Sequence, residues 1–326
     1  MKNEFTDLIE ETRSLLKQNT EWKTRYKDYA ECICENLDFI EGIRDSFREW
    51  NPLTVYINVT SAKKARTLVE FDLRYYGQNV AKLYGYKNGD LLISTNKSLD
   101  KTNQRDFDCG ISLRRVEWTS PEAAEFRKFF KTRRGPRNNK GNKSNDEHRL
   151  ESLWITELLK KGDKMLPNTR PVTIGKLRFS MPTPISASNH KEVRYAGNYG
   201  GGIDILARTG RGGFNTYPCI IELKDENVTN EPPKDAIKQA IAYSTFIREL
   251  LRSDSGHMWW KLFGFNRDIP EQVSLYAACL MPSSDINDYS FQDMELNIDG
   301  DIIKLHYIYF KEDNNVITNV ETSLRW

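Results

Sequence analysis

Long apolar runs are absent. No uncharged stretch of this 326-residue chain approaches the roughly 18–20 residues that cross a bilayer, which argues against a helical membrane protein. Cysteine is scarce: Cys32, Cys34, Cys109, Cys219 and Cys279 are odd in number and scattered, so they form no disulfide framework. The start, Met1-Lys2-Asn3-Glu4-Phe5-Thr6-Asp7, carries acids where a secretory signal needs an apolar segment. These absences set the expectation of a cytoplasmic chain. The four histidines (His148, His190, His257 and His306) never cluster with cysteines, so no zinc site is expected. No Gly-rich loop ends in Lys-Ser or Lys-Thr, which argues against a P-loop ATPase, and no internal repeat is evident.

A 38% hydrophobic and 11% aromatic content suffices for packed cores, and the length suggests two domains. The net charge of +2 conceals an uneven layout. Residues 1–50 carry a net −4, residues 51–200 a net +13 and residues 201–326 a net −7. A basic middle can meet phosphates and an acidic end can hold metal, while uneven charge on a solvated surface is the plain alternative.

Residues 3–48 read as helix, with Leu8, Ile9, Leu15 and Leu16 at helical spacing. Alternating segments near 54–59, 68–73, 78–86 and 90–95 read as strands, with a tight hairpin at Asn88-Gly89. Ser120-Pro121-Glu122 starts a further helix running to about Lys131. The expected organisation is an N-terminal helix-led α+β domain over 1–130, for recognition, sensing or partner contact. A basic linker over 131–145 follows, and then a C-terminal domain over 146–326. The linker carries Arg133, Arg134, Arg137, Lys140 and Lys143 without an acid or a large apolar residue. It reads equally as solvated linker and as a nucleic-acid contact.

The C-terminal part alternates elements, α/β in texture and α+β for the chain as a whole. A helix from 144–147 to Lys161 precedes strands near Val172–Met181, Gly202–Arg208 and Tyr217–Lys224. A helix from Lys234 to Arg252, a strand over Val273–Leu280 and a hairpin at Asp299-Gly300 follow. Within these strands, Asp204 interrupts Gly201-Gly202-Ile203-Asp204-Ile205-Leu206-Ala207, and Glu222 interrupts Cys219-Ile220-Ile221-Glu222-Leu223-Lys224. Period-two geometry puts Glu222 and Lys224 on one strand face. If the two strands pair, Asp204 lies beside Glu222. Adjacent carboxylates on a half-buried sheet repel unless a cation sits between them, and oxygen ligands select a hard ion. A strand-end salt bridge to Lys224 is the alternative for either acid alone.

Asp204 and the Glu222-Leu223-Lys224 triplet, in this order of elements, resemble the PD-(D/E)xK nuclease superfamily, the restriction-endonuclease-like fold. The likeness covers roughly residues 146–282. Its core runs helix, three strands, helix, strand; Ile203 stands where the superfamily often has proline. Gln239-Ala240-Ile241-Ala242-Tyr243 is similar to the QxxxY motif of RecB-like nucleases, and Gln239 and Tyr243 share a helical face. An acid from the first core helix often joins the metal site in this family. Glu151 is favoured for it over Glu147, which sits at the helix start.

The resemblance implies a DNA endonuclease that hydrolyses phosphodiesters with Mg²⁺ or Mn²⁺. Asp204, Glu222 and the Leu223 carbonyl would hold the metal, with Glu151 assisting. Lys224 would position the nucleophile and Gln239 would orient water or substrate. Tyr243 would contact phosphate or simply pack. Bacterial anti-phage defence or restriction is the implied setting, with a homodimer or a defence-system protein as partner. A catalytically weak nucleic-acid-binding module and an RNase remain the alternatives. Cys32 and Cys34 read as packing residues. Trp259-Trp260 and Phe263-Gly264-Phe265 read as core or dimer contact before base stacking.

Overall fold

The computed structural model describes residues 2–47, 52–61, 67–95, 110–132, 143–187, 192–212, 215–229 and 232–324. The chain is mixed α+β and divides into two compact units. The first comprises residues 1–27, 153–172 and 180–326; the second comprises 28–152 and 173–179. This division differs from the contiguous one expected from the basic segment. The helical start packs with the C-terminal residues, and residues 173–179 join the second unit. No helix of the described residues is long and apolar enough to cross a membrane.

The expected single helix over 3–48 is three: α1 (Lys2–Gln18), α2 (Glu21–Glu35) and α3 (Leu37–Ile43). Two asparagines explain the breaks. The Asn19 side-chain amide donates to the Leu15 carbonyl at 2.8 Å, and that of Asn36 to the Cys32 carbonyl at 2.7 Å. Side-chain amides that satisfy carbonyls near a helix end favour termination there.

In the second unit, β1 (Leu53–Ile57), β2 (Thr67–Tyr75), β3 (Gln78–Tyr86), β4 (Leu91–Thr95) and β5 (Val116–Glu117) form an antiparallel meander. Val69, Phe71, Leu73 and Tyr75 alternate onto one buried face of β2. Phe130 of α4 (Pro121–Thr132) meets Tyr75 there, with ring centroids 5.0 Å apart. The opposite face carries charge: Arg74 lies 3.8 Å from Asp72, and its guanidinium sits 4.0 Å over the Tyr56 ring. Helix α5 (Lys143–Leu159) contributes residues to both units.

The single strand expected over Val172–Met181 is instead three short ones: β6 (Thr169–Pro171), β7 (Arg178–Phe179) and β8 (Met181–Pro182). Pro171 and Pro182 offer no N–H to extend a ladder, and Gly175 and Lys176 turn the chain at positive φ. β7 pairs parallel with β1, so this piece belongs to the second unit's sheet.

The first unit is built on a seven-stranded sheet. After β9 (Ile185–Ser186), β10 (Arg194–Tyr195) and β11 (Gly202–Ile203) come β12 (Ile205–Gly212) and β13 (Asn215–Leu223). Helix α6 (Pro233–Leu251), α7 (Gly256–Leu262), β14 (Ser274–Pro282), β15 (Glu295–Ile298), β16 (Asp301–Asp313) and β17 (Val316–Thr322) complete it. The strand order is β15-β16-β14-β13-β12-β6, with β17 also on β16. β6, β12 and β13 are antiparallel in sequence, whereas β13, β14 and β16 run parallel. Pro233 starts α6, where its missing N–H costs nothing. The helix is buried almost all round because it packs on β13 and β14 and against α1. Phe246 of α6 meets Trp22 edge-on at 5.7 Å.

Trp259 and Trp260 belong to α7 and are core residues. The Trp259 indole donates to the Tyr26 carbonyl at 3.1 Å, and Trp260 stacks on Phe265 at 3.9 Å. His306 is buried flat against Tyr276, with ring centroids 4.9 Å apart. Burial pushes its pKa down to about 4, aided by Lys304 and opposed by Asp293 and the Ser323 hydrogen bond. A base with a depressed folded pKa contributes stability that is present above its unfolded value and lost as pH falls. Stability should therefore drop between pH 6.5 and about 4, by on the order of 2–3 kcal/mol from this residue. His306→Gln should flatten that part of a denaturant-derived stability profile; an identical slope in the variant would remove His306 as its cause.

Candidate active site

Asp204 stands where the chain changes partner. β11 pairs with β8 and β12 with β13, and the backbone bends between them at Asp204. The ladder of β12 and β13 ends at Ile205 opposite Ile221. Beyond it, the Leu223 N–H finds its acceptor in Asp204 Oδ2 at 2.9 Å. A carboxylate thus replaces a backbone carbonyl as the acceptor, which ties the bend to the end of β13. The same register puts Asp204 next to Glu222.

Glu222 is fully buried, and its neighbour across the parallel pair is Cys279 on β14. Lys224 follows at the strand end, half-buried, its N–H donating to the Leu280 carbonyl at 3.0 Å. Burial pushes the Cys279 thiol up, Lys224 pulls it down, and Asp288 and Glu222 push it up again. All three charged groups therefore act on this one buried thiol.

Helix α6 lays Gln239 and Tyr243 over the sheet, both buried. Burial first, and then the charge of Glu222, push the Tyr243 hydroxyl up, and Asp204 adds to this. Hydrogen bonding from the Gln239 side chain and from the backbone of Ala187 acts in the opposite direction. The same hydroxyl closes on Gly201, where an added Cβ would come within 2.7 Å of it. The Tyr243 hydroxyl thus lies close to Gly201, three residues before Asp204, hydrogen-bonded by Gln239 and within electrostatic reach of Asp204 and Glu222.

Thr183, which sequence reasoning missed, braces the glycine segment from below. Its hydroxyl donates to the Ile185 carbonyl at 2.7 Å and lies 3.1 Å from that of Gly201. An added Cβ at Gly200 would meet the Thr183 carbonyl oxygen at 1.8 Å, so only glycine fits this approach. Asn227, buried three residues past Lys224, donates to the Pro282 carbonyl at 3.1 Å and to Asn287 Oδ1 at 2.8 Å, tying the loops after β13 and β14 together. Neither residue carries a local sequence signal, because each acts on a segment distant along the chain.

Glu151 lies in the second unit, where its carboxylate is 3.7 Å from Arg74 and 3.4 Å from His148 Nδ1. Glu147 is half-buried in the same unit. Among the described residues, no three or more His, Cys, Asp and Glu side chains gather into a metal-binding group. Arg133, Arg134, Arg137 and Lys140 lie outside the described residues, and Lys143 is the first residue of α5.

Compared with family models, with curated proteins and with solved structures, the chain matches none.

Proposed function

We propose that the first unit is a metal-dependent nuclease of the PD-(D/E)xK kind. The observation that carries this reading is the convergence on the Tyr243 hydroxyl: Glu222, Asp204 and Gln239 all act on it, and Gly201 of the Asp-bearing segment leaves it room. The order of elements supports the same reading. Helix α5 precedes β6, β12 and β13, antiparallel neighbours with the short β7–β11 between the first two; α6 and α7 follow, and then β14, parallel to β13.

The donor set suits a hard divalent cation: two neighbouring carboxylates, one of them fully buried, with a strand-end carbonyl between Glu222 and Lys224. Asp204, Glu222 and the Leu223 carbonyl would hold Mg²⁺ or Mn²⁺. Bound there, the ion would lower the pKa of water and offset charge on the scissile phosphate. Lys224 sits at the half-buried edge, placed to neutralise a phosphate oxygen and to orient the attacking water. Gln239, buried beside Tyr243 and hydrogen-bonded to it, would orient water or substrate. Glu151, which the resemblance would add as an assisting ligand, belongs to the second unit, where it meets Arg74 and His148.

The test is hydrolysis of plasmid DNA, single-stranded DNA and RNA by the full chain, with Mg²⁺, with Mn²⁺ and with EDTA. Metal-dependent cleavage that Asp204→Ala, Glu222→Ala and Lys224→Ala each abolish is the expected result. Cleavage undiminished in all three variants would remove these residues from the site. The setting we favour is cytoplasmic anti-phage defence, with DNA as first substrate and RNA as the alternative.

A further inference from the structure

β13, β14 and β16 are parallel, and β12 begins where β13 ends. The loops at this end of the sheet therefore surround the candidate site. They are the segment before Asp204, the residues after Lys224, and the loop after Pro282. Ligands of open sheets with parallel strands bind outside the carboxyl ends of those strands.

This rim carries unusual side chains for a phosphate-binding surface. Tyr199 is 93% exposed, and Val228, Ile286 and Tyr289 are exposed with it. Its charge is mixed: Asp225, Glu226, Asp285, Asp288 and Asp293 follow the strands, while Arg194 lies before Asp204, Arg25 reaches Asn198 and Lys224 follows β13. A duplex presents one negative charge per roughly 1.7 Å of axis and gains its affinity from cationic side chains. A duplex also keeps its base faces inside the stack, out of reach of an exposed ring. Unpaired bases offer aromatic faces instead, and these stack on tyrosine whatever their sequence.

Tyr199 is also held in place, as a platform requires. The Ala196 and Gly197 N–H groups both donate to the Pro184 carbonyl, at 2.8 and 3.1 Å, and the Tyr199 N–H donates to the Ala196 carbonyl at 2.9 Å. Asn198 is gripped by Arg25, which also donates to the Tyr195 hydroxyl at 3.1 Å. Gly200, the next residue, is pinned against the Thr183 backbone. A fixed backbone thus presents a ring that packs on little of its own fold, five residues before Asp204.

We infer that this rim receives unpaired nucleobases, with Tyr199 stacking on one of them, and that the substrate class of the site is single-stranded or locally unpaired nucleic acid. The inference rests on the nuclease reading for the fate of the phosphate, but base stacking can be read without cleavage.

The experiment is fluorescence anisotropy with the full chain and a labelled 12-nucleotide strand, as DNA and as RNA, alone and in a matched duplex. It is run in EDTA and again in Ca²⁺. The single strand should bind more tightly than the duplex. Tyr199→Ala should weaken single-strand binding by roughly tenfold or more, while Tyr199→Phe, which keeps the ring, should stay within about twofold. An unchanged melting temperature would show that the exposed side chain is not needed for folding. Duplex binding equal to or tighter than that of the single strand, or unchanged affinity in Tyr199→Ala, overturns the inference. So does a dimer, seen by sedimentation, that Tyr199→Ala dissociates without altering strand binding. Tyr199-dependent strand binding without any metal-dependent cleavage would sink the nuclease reading and leave the rim intact. Cleavage indifferent to Tyr199 would do the reverse.

Discussion

Glu222→Gln is expected to separate activity from stability. The substitution keeps the shape of a fully buried side chain and removes its charge beside Asp204. Under the nuclease reading proposed above, cleavage should fall by at least on the order of 10³-fold, because a neutral amide is a poor ligand for a hard divalent cation and does not offset its charge. Metal-free protein should become more stable, since two neighbouring carboxylates no longer oppose each other in a dry setting. A gain of about 1 kcal/mol corresponds to a rise of roughly 2–4 °C in Tm for a unit of this size. Mg²⁺ or Mn²⁺ should raise the Tm of the wild type by binding the folded state and leave that of the variant unmoved. Paired melting curves with and without metal read both effects at once. A variant that melts lower than wild type and keeps its metal-induced shift would make Glu222 an ordinary structural carboxylate paired to Lys224. The trade of stability for a functional charge is common at sites that break local rules.

Much of this site was legible because its residues violate their local pattern. Glu222 interrupts a run of apolar strand residues, and Asp204 does the same in its own strand. The spacing of Gln239 and Tyr243 fixes a shared helical face. The geometry that joins them was not legible. The bend at Asp204 depends on β8 and Thr183, some twenty residues upstream, and on a ladder that runs out at Ile205. The unit boundaries were hidden for a similar reason. Residues 1–27 read as the head of an N-terminal domain, yet Glu4 pairs with Lys234 at 2.6 Å and Phe5 meets Phe291 at 4.8 Å. Such contacts between distant residues leave no trace in local periodicity. Glu151 shows the limit in the other direction: its place in the helix and its i,i+3 neighbour His148 follow from helix phase, whereas Arg74, on a strand far away in sequence, does not. Tyr199 carries no such signal, because a tyrosine in Asn198-Tyr199-Gly200 looks the same in sequence whether it packs or faces solvent.

At the opposite end of the same sheet, Asp301→Asn is expected to be the most damaging single change to stability outside the apolar core. Asp301 opens β16 after the Asp299-Gly300 turn, whose two positive φ angles, 53° and 93°, suit a tight hairpin. It is 2% exposed. Its Oδ2 accepts from Arg248 Nε at 2.8 Å and Arg252 Nε at 3.0 Å, and its Oδ1 accepts from the Val273 N–H at 2.7 Å. One carboxylate therefore joins the end of α6 to the starts of β14 and β16. Burial pushes its pKa up but is outweighed by Arg252, the Val273 N–H and Arg248, so the folded value lies below the ordinary one. Removing one partner of a buried, hydrogen-bonded pair leaves the other charge uncompensated, at about 3–5 kcal/mol. Arg248, itself buried, keeps the half-buried Glu249 at 2.7 Å, the exposed Asp299 at 3.3 Å and the Ile298 carbonyl at 3.4 Å, but loses its one buried counter-charge. The double variant Asp301→Asn with Arg248→Met should recover part of the loss, because it removes the stranded charge, and the shortfall from additivity measures the coupling. The sign with pH follows from the lowered pKa. The contribution is complete above about pH 4, the unfolded carboxylate's value, and is lost as pH falls through the folded one. In urea titrations at pH 7 and pH 3, wild type and Asp301→Asn should differ by several kcal/mol at the first and converge toward the second. A gap of equal size at both pH values would show that the carboxylate's shape and hydrogen bonds, not its charge, hold this corner. Because Asp301 lies at the far end of the strands from Asp204, the variant's residual cleavage at low temperature should match its folded fraction.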